Sequence, residues 1–212
     1  MQEGDNDHWR SAPEVFEEWT LIGKDVGMEE GHAAAVDEML EFALSDAAGL
    51  KKGFRALDAG CGNGWVVRRI SAHPNCIEAI GVDAAPAMIK KAKSIDPQGS
   101  YVQADLMRWP CTDRFDLIHS METMYYLADP SMAVERIASW LKEDGIFIMG
   151  VDHYAENDES LDWPQQLKTR MATLSQEQWV NAFEGAGLTV IRTWRAAVKE
   201  DWPGTLVVAG RR

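Results

Sequence analysis

The chain has 212 residues, enough for one sizeable core, and at 46% hydrophobic and 26% charged it has the composition of an ordinary globular domain. No apolar run nears the ~20 residues of a membrane-spanning helix, and the net charge of −13 sets an average field that repels phosphate backbones. Neither nucleic acid nor a membrane is therefore expected as a partner. Cys61, Cys76 and Cys111 are scattered and form no metal spacing or disulfide framework. The polar, acidic opening MQEGDNDHWR reads as neither a secretory signal nor a transit peptide. Cytoplasmic localisation is the expectation, with no metal.

Two helices are expected first, around 12–19 and 29–47, as a cover formed by residues 1–50. A strand–helix alternation then runs over 54–210: strand 54–59 (FRALDA), helix 64–72, strand 77–83, helix 85–93, and strands 100–105 and 115–120. PSMAVERIASWL predicts a helix over 130–141 with proline at its start, and GIFIMGV a buried strand over 145–151. LSQEQWVNAFEGAG predicts a helix over 174–187, with Ser175 and Gln178 at capping-box spacing and a glycine stop. Strands LTVIRTW and TLVVAG close the chain. Such alternation implies an α/β fold, a parallel sheet covered by helices on both faces. The last two strands are joined without an obvious helix, and a parallel pair needs a longer crossover. The final strand is therefore expected to run antiparallel. The whole of 1–212 reads as one domain.

LDAGCGNGW, residues 57–65, places three glycines at alternate positions where the first strand meets the first helix. Glycine there permits positive φ and removes the Cβ that would block a ligand, and the helix aims free N–H groups at the same place. The dinucleotide fingerprint G-x-G-x-x-G is not met, because the third glycine comes one position early. Asp58, at the strand tip, suits an ammonium group better than a pyrophosphate. Asp83 ends the second strand, placed for ribose hydroxyls. Asp105 ends the third and could accept from an exocyclic amine.

These motifs resemble those of the class I S-adenosylmethionine-dependent methyltransferases. LDAGCGNG is similar to that family's first motif, GVDAAPAMIKKAK to its second, QADL to its third, and FDLIHSMETMYYL to its fourth strand and following loop. The resemblance covers about residues 54–210. It implies a Rossmann-like, doubly wound, mostly parallel seven-stranded sheet with the last strand antiparallel, plus the N-terminal helices. It implies S-adenosylmethionine as cofactor and S-adenosylhomocysteine as product. Carried over residue by residue, Gly60, Cys61 and Gly62 would line the methionine moiety, with Asp58 near its ammonium. Asp83, Ala84 and Met88 would hold the adenosine side, Asp105 and Leu106 would face the adenine, and Ser120 and Met121 would lie between cofactor and acceptor. Cys61 reads as a space-filling residue, since a sulfonium methyl needs no enzyme nucleophile.

The acceptor pocket is expected from the segments after strands four and five and from the N-terminal helices. Their aromatic and acidic residues suit a small organic molecule, including a cationic nitrogen. Glu122, Tyr125, Tyr126 and Tyr154 are its candidate walls. His153, at the start of a loop, is the candidate base; His119, inside a strand, reads as a core residue. Lys24, Met28 and His32 could touch the cofactor or belong to a plain amphipathic cover. The expected function is methyl transfer to an oxygen or nitrogen of a small molecule. A protein side chain as acceptor, or a non-catalytic cofactor-binding sensor, are the alternatives.

Overall fold

The structure is a computed structural model that describes residues 9–212; the first eight residues of the expected N-terminal cover lie outside the described residues. Helices α1 (Ala12–Leu21) and α2 (Lys24–Ala43) precede the sheet. Then come β1 (Phe54–Ala59), α3 (Trp65–Ser71), β2 (Cys76–Asp83), α4 (Pro86–Ile95), β3 (Ser100–Gln103) and β4 (Phe115–Met121). The remaining elements are α5 (Pro130–Ala138), β5 (Leu141–Val151), α6 (Trp163–Leu167), α7 (Gln176–Gly185), β6 (Thr189–Ala196) and β7 (Thr205–Arg211).

The described strands form one seven-stranded sheet in the order β3-β2-β1-β4-β5-β7-β6. The pairs among β1 to β5 are parallel, and β7 lies between β5 and β6, antiparallel to both. The short last connection thus has the consequence expected of it. Strand order reverses between β1 and β4, so the crevice beyond their carboxyl ends is where such a sheet binds ligands.

Both faces are covered, which is why β1 and residues 145–151 of β5 read as near-continuous apolar runs. One core gathers Val134 and Ile137 of α5 with Trp179 and Phe183 of α7 against Phe147 and Val208. The other gathers Val36 and Met39 of α2 with Val67, Ile70 and Ile89 against Ala56, Leu117 and Ile148. The capping box of α7 forms, with Ser175 and Gln178 in the expected roles.

Several boundaries differ from the sequence expectation. The helix expected over 130–141 stops at Ala138, and Leu141 already belongs to β5. The strand expected over 100–105 stops at Gln103, where Ala104 N–H turns to the carbonyl of Asp83. Helix α2 begins at Lys24, not near residue 29, and α6 was not anticipated.

Candidate active site

A cavity of about 790 Å³ opens at the β1–β4 reversal. Its floor is the glycine loop between β1 and α3. Gly60 has φ +84 and Gly62 φ +51, a region that favours glycine. A Cβ at Gly60 would collide with the side chain of Thr123, so the loop after β4 packs directly on the glycine turn.

Acids stand around this floor at the ends of β1 and β2 and two residues past β3. Asp58 is buried, and its Oδ1 lies 2.7 Å from His119 Nδ1. The strands set this up, since Asp58 and His119 are register partners of β1 and β4. Asp83 accepts from the N–H groups of Gly62 at 2.9 Å and Ala85 at 2.8 Å, tying the glycine loop to the start of α4. Burial raises the Asp83 carboxyl above its ordinary value, the two amides oppose that, and the neighbouring Asp58 adds to it. Asp105 is exposed and accepts from Met107 N–H at 2.9 Å. Cys61 is buried; desolvation and the charges of Asp83 and Asp58 hold its thiol well above the usual range, which keeps it protonated and unreactive.

Helices α1 and α2 form the roof. On α2 a single helical stripe changes character along its length. Ala35, Val36, Met39, Leu40 and Ala43 are buried in the core, while Asp25, Met28, Glu29 and His32, earlier on the same stripe, line the cavity. Asp25 pins this end: it accepts from Asn63 Nδ2 of the glycine loop at 3.1 Å and pairs with Lys91 Nζ of α4 at 2.7 Å. Glu17 of α1 accepts from Ala87 N–H of α4 at 2.7 Å. The side wall is a strap after α6. Arg10 N–H donates to the carbonyl of Lys168 at 2.7 Å, and Ala172 N–H to that of Tyr125 at 2.7 Å.

Beyond Met121 lies a polar group drawn from three elements. Glu122 Oε2 accepts from the Tyr125 hydroxyl at 2.6 Å and Oε1 from Asp152 N–H at 2.5 Å. Asp152 Oδ2 lies 3.4 Å from His32 Nε2, and Oδ1 accepts from Thr205 Oγ1 at 2.6 Å. Burial, together with the Asp152 charge, pushes the Glu122 carboxyl up to about 8. Burial works against a charged His32, yet its bond to Asp152 and the charges of Asp152 and Glu122 outweigh this and raise it to about 9.

Of the candidates drawn from the sequence, Asp58, Gly60, Cys61, Gly62, Asp83, Ala84, Met88, Asp105, Leu106, Met121, Glu122, Tyr125 and Tyr126 all line this one cavity. Three do not. Ser120 points to the opposite face of β4 from its neighbours and donates to the carbonyl of Ala59 at 2.8 Å. Tyr154 is buried, its hydroxyl donating to the carbonyl of Gly204 at 2.8 Å. His153 is buried with Nδ1 2.9 Å from the Ser160 carbonyl and Nε2 2.8 Å from Thr173 Oγ1. Burial lowers its pKa, and with both nitrogens engaged it has none to offer an acceptor. His32, Asp25, Asp152 and Thr123 carry the geometry that spacing alone did not supply; a helical stripe read upward from Val36 through His32 to Asp25 would have found the first two.

The cavity offers a Cβ-free cradle beside the buried carboxylate of Asp58, with Asp83 and Asp105 further along it, a set of groups that S-adenosylmethionine fits. A family model described as "Methyltransferase domain" matches residues 28–193. The chain belongs to this family, among the class I S-adenosylmethionine-dependent methyltransferases. The chain is 35% identical over 115 residues to "Uncharacterized methyltransferase YcgJ" of Bacillus subtilis, covering 51% of this chain and 44% of that one. It is 30% identical over 102 residues to a trans-aconitate 2-methyltransferase of Methylobacterium radiotolerans, covering 48% and 39%. The chain thus spans less than half the length of these curated relatives. Among solved structures, it matches a Haloferax volcanii putative methyltransferase, determined in complex with the Trm112 methyltransferase activator. That match has a TM-score of 0.82 and 26% identity, covering 96% of this chain and 99% of that one.

Proposed function

We propose that the protein transfers the methyl group of S-adenosylmethionine to a nitrogen or oxygen of a small molecule. The observation that carries this is the single roofed cavity, in which the residues fitted to the cofactor continue without a break into the group around Glu122. Its size lies within the usual range for pockets that hold small ligands.

Bound S-adenosylmethionine supplies a methyl activated by its sulfonium, so no covalent enzyme intermediate is needed. The protein's part is to bind, align and exclude water. Asp58, held by His119, receives the ammonium; the loop at Gly60, Cys61 and Gly62 lets backbone approach the methionine end. Asp83 accepts from the ribose hydroxyls, Ala84 and Met88 flank the adenosine, and Asp105 and Leu106 face the adenine. Helices α1 and α2, pinned through Glu17 and Asp25, keep water from the reacting centre. Met121, Glu122, Tyr125 and Tyr126 border the space left for the acceptor. The roof favours a small acceptor over a protein side chain. The cytoplasm suits three free cysteines.

The relatives named for trans-aconitate make a carboxylic acid one candidate acceptor, against which the carboxylates of Glu122 and Asp152 count. The Haloferax complex makes an activator subunit a candidate partner. The test is transfer of label from methyl-labelled S-adenosylmethionine to panels of amines, phenols, carboxylic acids and peptides. Cofactor binding without turnover on any of them would favour a sensor.

A further inference from the structure

The cavity carries more negative than positive groups, and most of the acids have a use. Asp58, Asp83 and Asp105 surround the cofactor end, and Asp25 is bound to Lys91 and Asn63. Glu29 on α2 and Glu122 remain, and of these Glu122 lies just past Met121, bonded to the Asp152 N–H. Of the basic residues lining the cavity, Arg170 comes from the strap, Arg10 from the segment before α1, where it pairs with Glu18, and His32 from α2, where it pairs with Asp152. The wall next to Glu122 is aromatic: Tyr125 and Tyr126 lie 4.4 Å apart, and Phe16 meets Tyr126 edge-on at 5.3 Å. Carboxylate beside aromatic faces is the chemistry that receives a cation.

Glu122 is also held in a costly backbone conformation. Its φ is +54, and its N–H is tied to the carbonyl of Gly150 at 3.0 Å. A non-glycine residue kept there at the end of a central strand is a pointer to function. The next residue, Thr123, packs on Gly60, and Glu122, Thr123 and Gly60 line the same cavity.

Resting on the methyltransferase reading above, we propose that the acceptor is an amine, and that Glu122 receives its ammonium and takes the proton the nitrogen must lose. The proton moves from R–NH3+ to the Glu122 carboxylate, leaving R–NH2 with a free lone pair. The nitrogen forms its bond to the methyl carbon as the carbon–sulfur bond breaks, with that electron pair staying on sulfur. The products are a methylated ammonium, neutral S-adenosylhomocysteine and a protonated Glu122, which returns its proton to solvent. The groups facing Glu122 suit this task. His32 comes from α2, Asp152 from the end of β5, and Tyr125 and Tyr126 from the turn after β4. They place the Glu122 carboxyl at about 8, so it is ionised, and able to receive an ammonium and take its proton, at and above that pH. A carboxylate acceptor would meet Glu122 and Asp152 as like charges.

The test, run above pH 8 so that Glu122 is ionised, uses the protein saturated with S-adenosylhomocysteine and three probes of one shape: benzylamine, benzyl alcohol and benzoate, followed by ligand-observed NMR. The wild type should bind the amine at least about tenfold more tightly than the other two. Glu122→Gln should bind S-adenosylhomocysteine as the wild type does and lose the amine by about tenfold or more. An amine signal no stronger than that of the alcohol or acid overturns the proposal, and this holds whether or not the variant folds. So does amine binding that is unchanged in a variant still binding S-adenosylhomocysteine. Failure of the wild type to bind S-adenosylhomocysteine at all would instead strike the methyltransferase reading.

Discussion

Asp58 and His119 face each other across the β1–β4 seam, buried, with Oδ1 and Nδ1 2.7 Å apart, at the point where strand order reverses. The imidazole fixes one oxygen of the carboxylate, and His119 Nε2, also buried, has no protein partner among the described residues. His119→Ala removes a hydrogen bond to a buried carboxylate and should cost about 1.5–3 kcal/mol of stability. Urea unfolding measures that cost. Because Asp58 loses its orientation, S-adenosylmethionine affinity should fall as well, while a variant weakened only in stability would keep it.

Asp25→Ala should loosen the roof. The carboxylate is buried and joins α2 to the glycine loop and to α4, so its loss leaves Lys91 and Asn63 without this partner. Faster dissociation of S-adenosylhomocysteine in stopped-flow is the expected result, with the association rate changed less. An unchanged dissociation rate would mean that α2 does not gate the cavity.

Stability should fall as pH rises from about 6.5 to about 9. His32 has a folded pKa raised to about 9, so the stability it contributes is complete below its unfolded value and is lost as pH rises through 9. Glu122, raised to about 8, acts in the same direction: above the ordinary glutamate value the folded state holds a proton that the unfolded state has released. Thermal melts across this range should show the decline, and Glu122→Gln should flatten its part below pH 8. A wild-type melting temperature that climbs from pH 6.5 to 9 would contradict the charge states assigned to this pair.

Gly31→Ala should stabilise the protein by about 0.5–1 kcal/mol, because Gly31 lies inside α2 and an added Cβ there meets no neighbour. Denaturant melts read the gain directly.

The strands were legible because a sheet covered on both faces demands apolar runs. LDAGCGNGW was legible because a ligand approaching backbone demands glycine. Helix α2 was legible only in its second half. From Lys24 to His32 its buried stripe turns polar where it leaves the sheet and covers the cavity, and Gly27 and Gly31 weaken the helical signal further. His153 misled for a tertiary reason. It follows β5, where acceptor residues are expected, but the turn through Ser160 and the segment at Thr173 fold back and take both ring nitrogens. Ser120 was misplaced by one position of strand alternation. The group of Glu122, Asp152 and His32 joins residues up to 120 positions apart, and no spacing in the sequence announces it.

Titration calorimetry with S-adenosylhomocysteine tests the central claim most directly. The wild type should bind one equivalent and should not bind NADH. Asp83→Ala, which removes the carboxylate proposed to accept from the ribose hydroxyls and frees the amides of Gly62 and Ala85, should bind about tenfold more weakly or worse. No heat of binding in the wild type, or an Asp83→Ala affinity equal to the wild type's, would contradict the assignment of this cavity to the methyl donor.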